Sequence, residues 1–319
     1  MAMSSPLWVA QPFLSRPSSN ISRSITYKRC RSSASNFFSQ SDMEQPLMKG
    51  QKPMEFPHLT AAHKDLMVSL ISALETRLDS HLLASSAVPP DVEFYQNDQG
   101  TSQGSLHIRR GLPSSHIDFV LASWLHLKVP TGSAMNITNL QAYLKSSTDV
   151  PHFQFELVQC SPTYFILFLD VTPRKDLVLY PNYLKTFYEE AQLETLRQRL
   201  EQVPETKPYL SSSLYFRGVV SPTGILVSIK CEEVGGTDRC EEIIREHVSP
   251  IAHDVMVIWL EKYFSGATVG VTERAELEKR DLLVKTRAIE MDLSSSLPLQ
   301  FGQEVANRVL DVIKGVFGA

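Results

Sequence analysis

The stretch from His152 to Pro181, HFQFELVQCSPTYFILFLDVTPRKDLVLYP, decides the fold of this chain. Two strongly apolar runs, at 152–160 and 163–171, follow each other with almost no connection between them. Parallel strands need a crossover of a dozen or more residues, so these runs are predicted to form an antiparallel pair. The second run, YFILFLDV, is apolar on both faces, whereas a sheet with one wet face would alternate. We therefore expect helices to cover the sheet on both sides.

The flanking sequence predicts more elements of the same kind. Short connections rich in Pro, Gly, Ser and Asn separate further predicted strands at 105–110, 117–129, 134–144, 213–220 and 224–231. Apolar residues at helical spacing predict helices at 57–83, 181–203, 238–264, 272–290 and 299–317, and residues 88–103 are expected to be a loop. The pattern predicts the α+β class, as an α/β/α sandwich with a central antiparallel sheet flanked by helices.

Glu156 lies in the middle of the first apolar run. It shares a strand face with Gln154 and Val158, opposite the face of Phe155. A carboxylate on a covered face is costly unless it is paired or lines a cavity. Two interpretations remain open: an edge-strand or salt-bridge residue, and a proton donor in a pocket.

The first forty residues differ in composition from the rest. They are rich in serine, contain five Lys or Arg, and have no acidic residue before Asp42. This composition predicts a chloroplast transit peptide at 1–40, with a disordered tail as the alternative. A short linker at 41–56 and a single domain at 57–319 are expected to follow. Without the five basic residues the formal net charge changes from −4 to −9, which argues against nucleic-acid binding.

The chain lacks the common cofactor signatures. It has no G-x-G-x-x-G after a strand, no P-loop, no H-E-x-x-H and no G-x-S-x-G, and its four cysteines form no C-x-x-C pair. The longest apolar run is too short to span a bilayer. If the protein is an enzyme, either its substrate does the electronic work or side-chain acids and bases do the chemistry.

Several long segments, in order from about Met54 to the C-terminus, resemble the red chlorophyll catabolite reductases of plants. These segments are MEFPHL, SLHIR, IDFVLASWLHLKVPTG, LKSSTDVP, FELVQ, LDVTPRKDLVLYPNYLK, KPYLSSSLYFR and HVSPIAHDVMVIWLE. The resemblance implies a fold similar to that of ferredoxin-dependent bilin reductases. It also implies reduction of a linear tetrapyrrole, red chlorophyll catabolite, to the primary fluorescent catabolite during chlorophyll breakdown in senescence.

The same resemblance implies the source of the electrons, the cofactors and the oligomeric state. Electrons would come singly from reduced ferredoxin in the chloroplast stroma, with no flavin, metal or nicotinamide bound, and the enzyme would be a homodimer. Because ferredoxin and this chain are both acidic, docking would need a local basic patch. The candidate cations are Arg174, Lys175, Lys279, Arg280, Lys285 and Arg287, with scattered solvated charges as the alternative.

The resemblance also assigns site residues. Glu156 and Asp292 match acidic pocket residues, and burial raises a carboxyl pKa, so such groups can donate protons near neutral pH. From its sequence alone, Asp292 would be a helix-terminal or N-cap residue before the last helix, at a point where a helix ends in a loop. Val220 matches a position that steers the face of protonation, with strand core as the alternative. The segment Tyr209, Leu210 and Ser211 is expected to line the substrate site, or else to form a strand-entry turn.

Two other functions stay open at this point. A protein of this kind could sequester phototoxic tetrapyrroles without reducing them, if both acids were dispensable. A bilin reductase acting on a heme-derived substrate is the other alternative, although the matched segments argue against it. The presence of both Glu156 and Asp292 favours the enzyme.

Overall fold

A computed structural model describes residues 54–128, 133–232 and 234–318. Within these ranges nine strands form one sheet: β1 (Leu82–Ser86), β2 (Phe94–Gln96), β3 (Ser102–Gly111), β4 (Ile117–Lys128), β5 (Ala134–Leu144), β6 (His152–Ser161), β7 (Tyr164–Thr172), β8 (Thr206–Pro208) and β9 (Ile225–Lys230). The helices are α1 (Ala61–Leu78), α2 (Pro90–Glu93), α3 (Pro181–Leu184), α4 (Leu193–Glu201), α5 (Leu214–Val219), α6 (Gly236–Ile243), α7 (Ser249–Ser265), α8 (Val271–Ala288), α9 (Ser294–Phe301) and α10 (Gln303–Phe317).

The sheet is antiparallel throughout the described residues. Its strand order is β1-β3-β4-β5-β6-β7-β9-β8, and β2 pairs with β3. The stretch from His152 to Pro181 contains β6 and β7, which lie near the centre of the sheet and pair with each other. Consecutive strands are therefore neighbours from β3 to β7, as their short connections require.

Each face of the sheet packs against its own layer of helices. On one face, Phe153 and Phe155 of β6 are fully buried in a core that also contains residues of α1, α4 and α7. On the other face, Val158 of β6 is fully buried with residues of α9 and α10. Burying a side chain of this size contributes about 1.5–3 kcal/mol, so both helical layers are held chiefly by apolar burial. The predicted α/β/α sandwich is confirmed.

A buried ion-pair network attaches α8 to the sheet. The Arg174 side chain donates to both carboxylate oxygens of Asp281, at 2.5 Å from Nη2 to Oδ2, and to the carbonyl of Thr148. His152 accepts from the Leu144 N–H through Nδ1, so its Nε2–H donates to Asp281 at 3.1 Å. Burial lowers the pKa of His152 to about 4, which keeps the ring neutral. The middle of α8 is thereby fixed in register with β6.

The sequence prediction differs from the structure in several places. The helix predicted at 181–203 is interrupted at Gln192, which has a φ of 55° and precedes α4. The strand predicted at 213–220 is wrong, because this segment contains helix α5 with Ser213 and Val220 at its ends. Ser213 caps the helix by accepting the N–H of Phe216, and Phe216 is buried against Phe168. The expected loop at 88–103 contains α2 and β2, and the helix predicted to reach residue 83 ends at Leu78, before β1. The short strands β1, β2 and β8 lie at or next to the edges of the sheet, where little apolar alternation is needed.

The C-terminal helices differ from the prediction in their connections. A π-helical turn, Ile289–Leu293, joins α8 directly to α9. Gly302 then separates α9 from α10 and has a φ of 79°. A residue with a Cβ would be strained in this backbone conformation, which explains why glycine occupies the position. These connections position the second helical layer above the polar part of the sheet.

Candidate functional site

A cavity lies between the sheet and the C-terminal helices. Its floor is formed by strand side chains and includes five polar ones: Ser123 of β4, Asn139 and Gln141 of β5, and Gln154 and Glu156 of β6. Apolar and aromatic side chains of the strands complete the floor: Tyr95, Leu106, Leu121, Leu125, Tyr143 and Phe168. Its roof is apolar and is formed by Ala288, Leu293, Leu297, Val309, Ile313 and Phe317. The cavity therefore places a row of hydrogen-bonding groups opposite a hydrophobic cover, an arrangement typical of sites for apolar ligands.

Glu156 lies at the centre of the polar floor. Cross-strand pairing places it between Asn139 on β5 and Phe168 on β7, and it is only 4% exposed. Its carboxylate also acts on a neighbour: burial chiefly, and the charge of Glu156 in addition, raise the pKa of the Cys160 thiol to about 12. The interpretation of Glu156 as an edge-strand residue is wrong, because β6 lies inside the sheet and Glu156 is buried. The residue lines a cavity on a covered face, as the alternative interpretation required.

Asn139 is the residue next to Glu156 that the sequence analysis missed. Its side chain is 3% exposed, and its Oδ1 accepts no hydrogen bond within the described part of the chain. A buried amide oxygen of this kind is an acceptor for a ligand N–H, because leaving it without a donor costs free energy. Only the register of β5 against β6 brings this oxygen beside Glu156, and no sequence motif marks it.

Val220 lies close to this site, at the C-terminal end of α5. It is half-buried and packs with the apolar residues on the cavity side of the sheet. A Cβ on Gly224 would lie 2.6 Å from Cγ1 of Val220, so only glycine fits the turn that follows α5. The alternative interpretation of Val220 as a core residue of a strand is wrong, because Val220 is the C-cap of helix α5.

Asp170 accepts hydrogen bonds from the turn that follows α5 and holds that turn in place. Its Oδ1 accepts from the Ser221 hydroxyl at 2.5 Å, and its Oδ2 accepts from the Ser221 N–H at 3.0 Å and the Thr172 hydroxyl at 3.1 Å. Burial raises the pKa of Asp170 to about 6, and the hydrogen bonds from Ser221 partly oppose that rise. Asp170 was not singled out from the sequence. Like Glu156, it is a carboxylate within a strongly apolar run, and this position could have indicated that it is buried.

The predicted segment at 209–211 has mixed surroundings. The Tyr209 N–H donates to the Leu226 carbonyl, and its half-buried side chain packs on the cavity side of the sheet near Cys160. Ser211 is buried, but Leu210 is 72% exposed. Tyr209 is therefore on the cavity side of the sheet but does not line the cavity, and Leu210 is exposed to solvent.

Asp292 belongs to the π-helical turn between α8 and α9. The expectation that a helix ends there in a loop is wrong, because the backbone continues as helix into α9. Leu293, the next residue, lines the cavity roof. The surroundings of the Asp292 side chain lie outside what the structure describes, so its pairing with Glu156 stays a prediction.

The six candidate cations do not form one patch. Arg174 and Lys285 are buried, and Lys285 donates to Asp118 at 2.7 Å. Lys175 is paired with Asp149 and Glu273. Lys279 is exposed and Arg280 is half-buried, while Arg287 pairs with Glu290 at 3.1 Å.

The described residues offer neither a metal site nor a membrane-spanning helix. They hold no group of three His, Cys, Asp or Glu side chains arranged to bind a metal ion. None of the helices in these ranges is long and apolar enough to cross a membrane.

Comparison with known structures bears on the fold. The crystal structure of tomato phytochromobilin synthase in complex with biliverdin matches with a TM-score of 0.58 at 15% identity, over 78% of this chain and 82% of that chain. This likeness confirms the expected bilin reductase fold.

Comparison with known sequences bears on the family. A family model described as red chlorophyll catabolite reductase (RCC reductase) matches residues 62–315. The Arabidopsis thaliana protein named red chlorophyll catabolite reductase, chloroplastic, is 43% identical over 319 residues, which cover 99% of this chain and 96% of the relative. A rice relative named red chlorophyll catabolite reductase 1, chloroplastic, is 44% identical over 81% of this chain and 78% of its own. This chain therefore belongs to the red chlorophyll catabolite reductase family.

Proposed function

We propose that this protein reduces red chlorophyll catabolite to the primary fluorescent catabolite in the chloroplast stroma, with electrons from reduced ferredoxin. Family membership supports the reaction, and the names of the Arabidopsis and rice relatives support the chloroplast. The observation that carries the proposal is the buried Glu156 in a cavity, beside the hydrogen-bond acceptor of Asn139. Both groups suit a conjugated tetrapyrrole, which offers N–H donors and needs protons when it is reduced.

The proposed step balances with two electrons and two protons. Two reduced ferredoxins each give one electron, and one carbon–carbon double bond of the pigment becomes a CH–CH unit. Each added electron makes the pigment more basic, so a positioned acid fixes where the proton is delivered. Glu156 supplies one proton and Asp292 the other in this proposal. No bound redox cofactor is invoked, because the conjugated pigment itself accepts the electrons.

The cavity has to open for this substrate. Its volume is about 80 Å³, whereas sites for ligands of this class occupy roughly 300–1,000 Å³. Its roof contains the π-helical turn and residues of α9 and α10, while the middle of α8 is fixed by Asp281. We expect the roof beyond Ala288 to move when substrate enters, because apolar contacts are lost there without breaking the buried ion pair.

Val220, Tyr209 and Ser211 shape the substrate site in this proposal instead of doing its chemistry. Val220 lies at the end of α5, near the polar floor of the cavity, and its size would select the pigment face that receives a proton. A transient complex with ferredoxin and a homodimeric state complete the proposal, and both are open to direct measurement.

The test is an anaerobic assay with three proteins. The mature chain, Glu156→Gln and Asp292→Asn are each mixed with red chlorophyll catabolite and reduced ferredoxin, and blue product fluorescence is recorded. Biliverdin replaces the substrate in a parallel series. Fluorescence that requires ferredoxin supports the proposal. Tight binding of the catabolite without product would make the protein a tetrapyrrole scavenger, and reduction of biliverdin alone would make it a bilin reductase.

A further inference from the structure

A second concave space lies on the surface between α5 and α8. This groove has a volume of about 600 Å³, several times that of the inner cavity and within the usual range for ligand sites. Its walls come from both helices: Leu214, Tyr215, Gly218, Val219, Glu276, Lys279, Arg280, Leu283 and Val284. The apolar side chains Leu214 and Leu283 are 75% and 54% exposed. A groove of this size and lining fits a large, flat apolar molecule.

The groove also carries positive charge. Lys279 and Arg280 form no ion pair with any described residue, whereas most other cations near α8 are paired. Burial raises the pKa of Tyr215, and the positive charges of Arg280 and Arg287 oppose that rise. Both guanidinium groups are therefore close enough to the Tyr215 hydroxyl to make the electrostatic potential there more positive. Among the residues that line the groove, the acidic one is Glu276, and it accepts a hydrogen bond from the Tyr180 hydroxyl. The occupant should therefore carry negative charge.

The groove is adjacent to the inner cavity. Val284 lies in the groove wall, and Ala288, one helical turn later on α8, lies in the cavity roof. On α5, Val219 lines the groove, and Phe216 packs edge-to-face on Phe168 of the cavity floor at 5.0 Å between ring centroids. A ligand in the groove would thus lie next to the turn of α8, from Val284 to Ala288, that connects the groove wall to the cavity roof.

We propose that the α5–α8 groove is the entry subsite for the tetrapyrrole, where Arg280 and Lys279 bind its carboxylate groups before the pigment passes under the cavity roof. This inference rests on the proposed function, because it takes the pigment as the occupant. An acidic protein surface is the less suitable occupant, since the groove is concave and offers only two unpaired cations. A carboxylate-bearing pigment satisfies the size, the apolar walls and the charge together.

The experiment measures equilibrium binding of biliverdin and of its uncharged dimethyl ester to the full chain by fluorescence quenching. Arg280→Leu should weaken biliverdin binding about tenfold, because a charge-assisted hydrogen bond is lost. The same variant should leave ester binding unchanged, and Arg280→Lys should restore most of the affinity for biliverdin. Lys314→Leu, on an exposed position of α10, is the matched control and should have no effect.

A steric variant provides an independent test. An added Cβ at Gly218 meets no atom within 4 Å, so a side chain can start there without a backbone clash, and Gly218→Trp is chosen to occupy the groove. Gly315→Trp on α10, where a Cβ also meets no atom within 4 Å, is the matched control, and unchanged unfolding of both variants in urea shows that the fold is kept. Gly218→Trp should weaken binding of both pigments and raise the KM for the catabolite, with kcat largely kept. Unchanged pigment binding in Arg280→Leu and Gly218→Trp would overturn the groove assignment, as would a change confined to the KM for ferredoxin.

The two proposals fail in different ways. If Glu156→Gln abolishes turnover and the groove variants bind pigment normally, the proposed reductase activity is supported and the groove assignment is refuted. If the wild-type chain binds biliverdin through Arg280 but reduces no pigment, the groove is supported as a tetrapyrrole site and the proposed reductase activity is refuted. A wild-type chain that binds neither biliverdin nor its ester would overturn the groove assignment.

Discussion

Asp170 makes the stability of this protein depend on pH in a way that can be worked out from the structure. Its carboxylate is fully buried and accepts three hydrogen bonds, but no cation is among these partners. Burial raises its pKa from 3.8 to about 6. Between these values the folded protein keeps a proton that the unfolded chain has released, so the free energy of unfolding falls as pH rises through this window. A shift of this size corresponds to about 3 kcal/mol.

The perturbation is Asp170→Asn, which cannot titrate. Other groups change stability in the same pH range, so the quantity to measure is the difference in the free energy of unfolding between wild type and variant. Urea unfolding between pH 4 and 8 gives this difference at each pH. We expect wild type to lose about 2.4 kcal/mol relative to the variant between pH 4 and 7, because the rest of the change falls below pH 4, and the difference to be constant above pH 7. A difference that does not change with pH would refute the assignment of a raised pKa to Asp170.

Three further substitutions test the fold and the site. Asp281→Leu should reduce the free energy of unfolding by about 3–5 kcal/mol, because Arg174 stays buried without its partner, and adding Arg174→Leu should recover most of that loss in urea unfolding. Ser213→Ala should cost about 1 kcal/mol through loss of the α5 cap, and an unchanged unfolding midpoint would contradict this. Val220→Phe should change the ratio of product epimers more than the rate, so identical epimers on chiral chromatography would reject the role of Val220.

The layered architecture could be predicted because its signal is local and strong. YFILFLDV lacks alternation, and this alone required a cover on both faces of β7. The same argument placed Glu156 on a covered face, where the structure finds it. The error at 213–220 had the opposite cause: its aromatic and β-branched residues suit a strand, but Ser213 and the burial of Phe216 select a helix.

The surroundings of the site could not be predicted from the sequence in the same way. Asn139 faces Glu156 only through the register of two strands, and no spacing in the sequence records that register. The attachment of α8 depends on Asp281 meeting Arg174 more than a hundred residues away in sequence. Arg174 had been grouped with solvent-accessible cations, and its burial shows that charge alone does not identify a docking surface.

The proton-donor role of Glu156 is the central claim, and anaerobic single-turnover kinetics tests it most directly. Wild type and Glu156→Gln are mixed with red chlorophyll catabolite and reduced ferredoxin, and both loss of the substrate and appearance of the fluorescent product are followed. General acid catalysis contributes roughly 10²- to 10⁴-fold. We expect the variant to fold and bind pigment normally but to form product at least a hundredfold more slowly. Product formation at the wild-type rate by a folded Glu156→Gln variant would contradict the account.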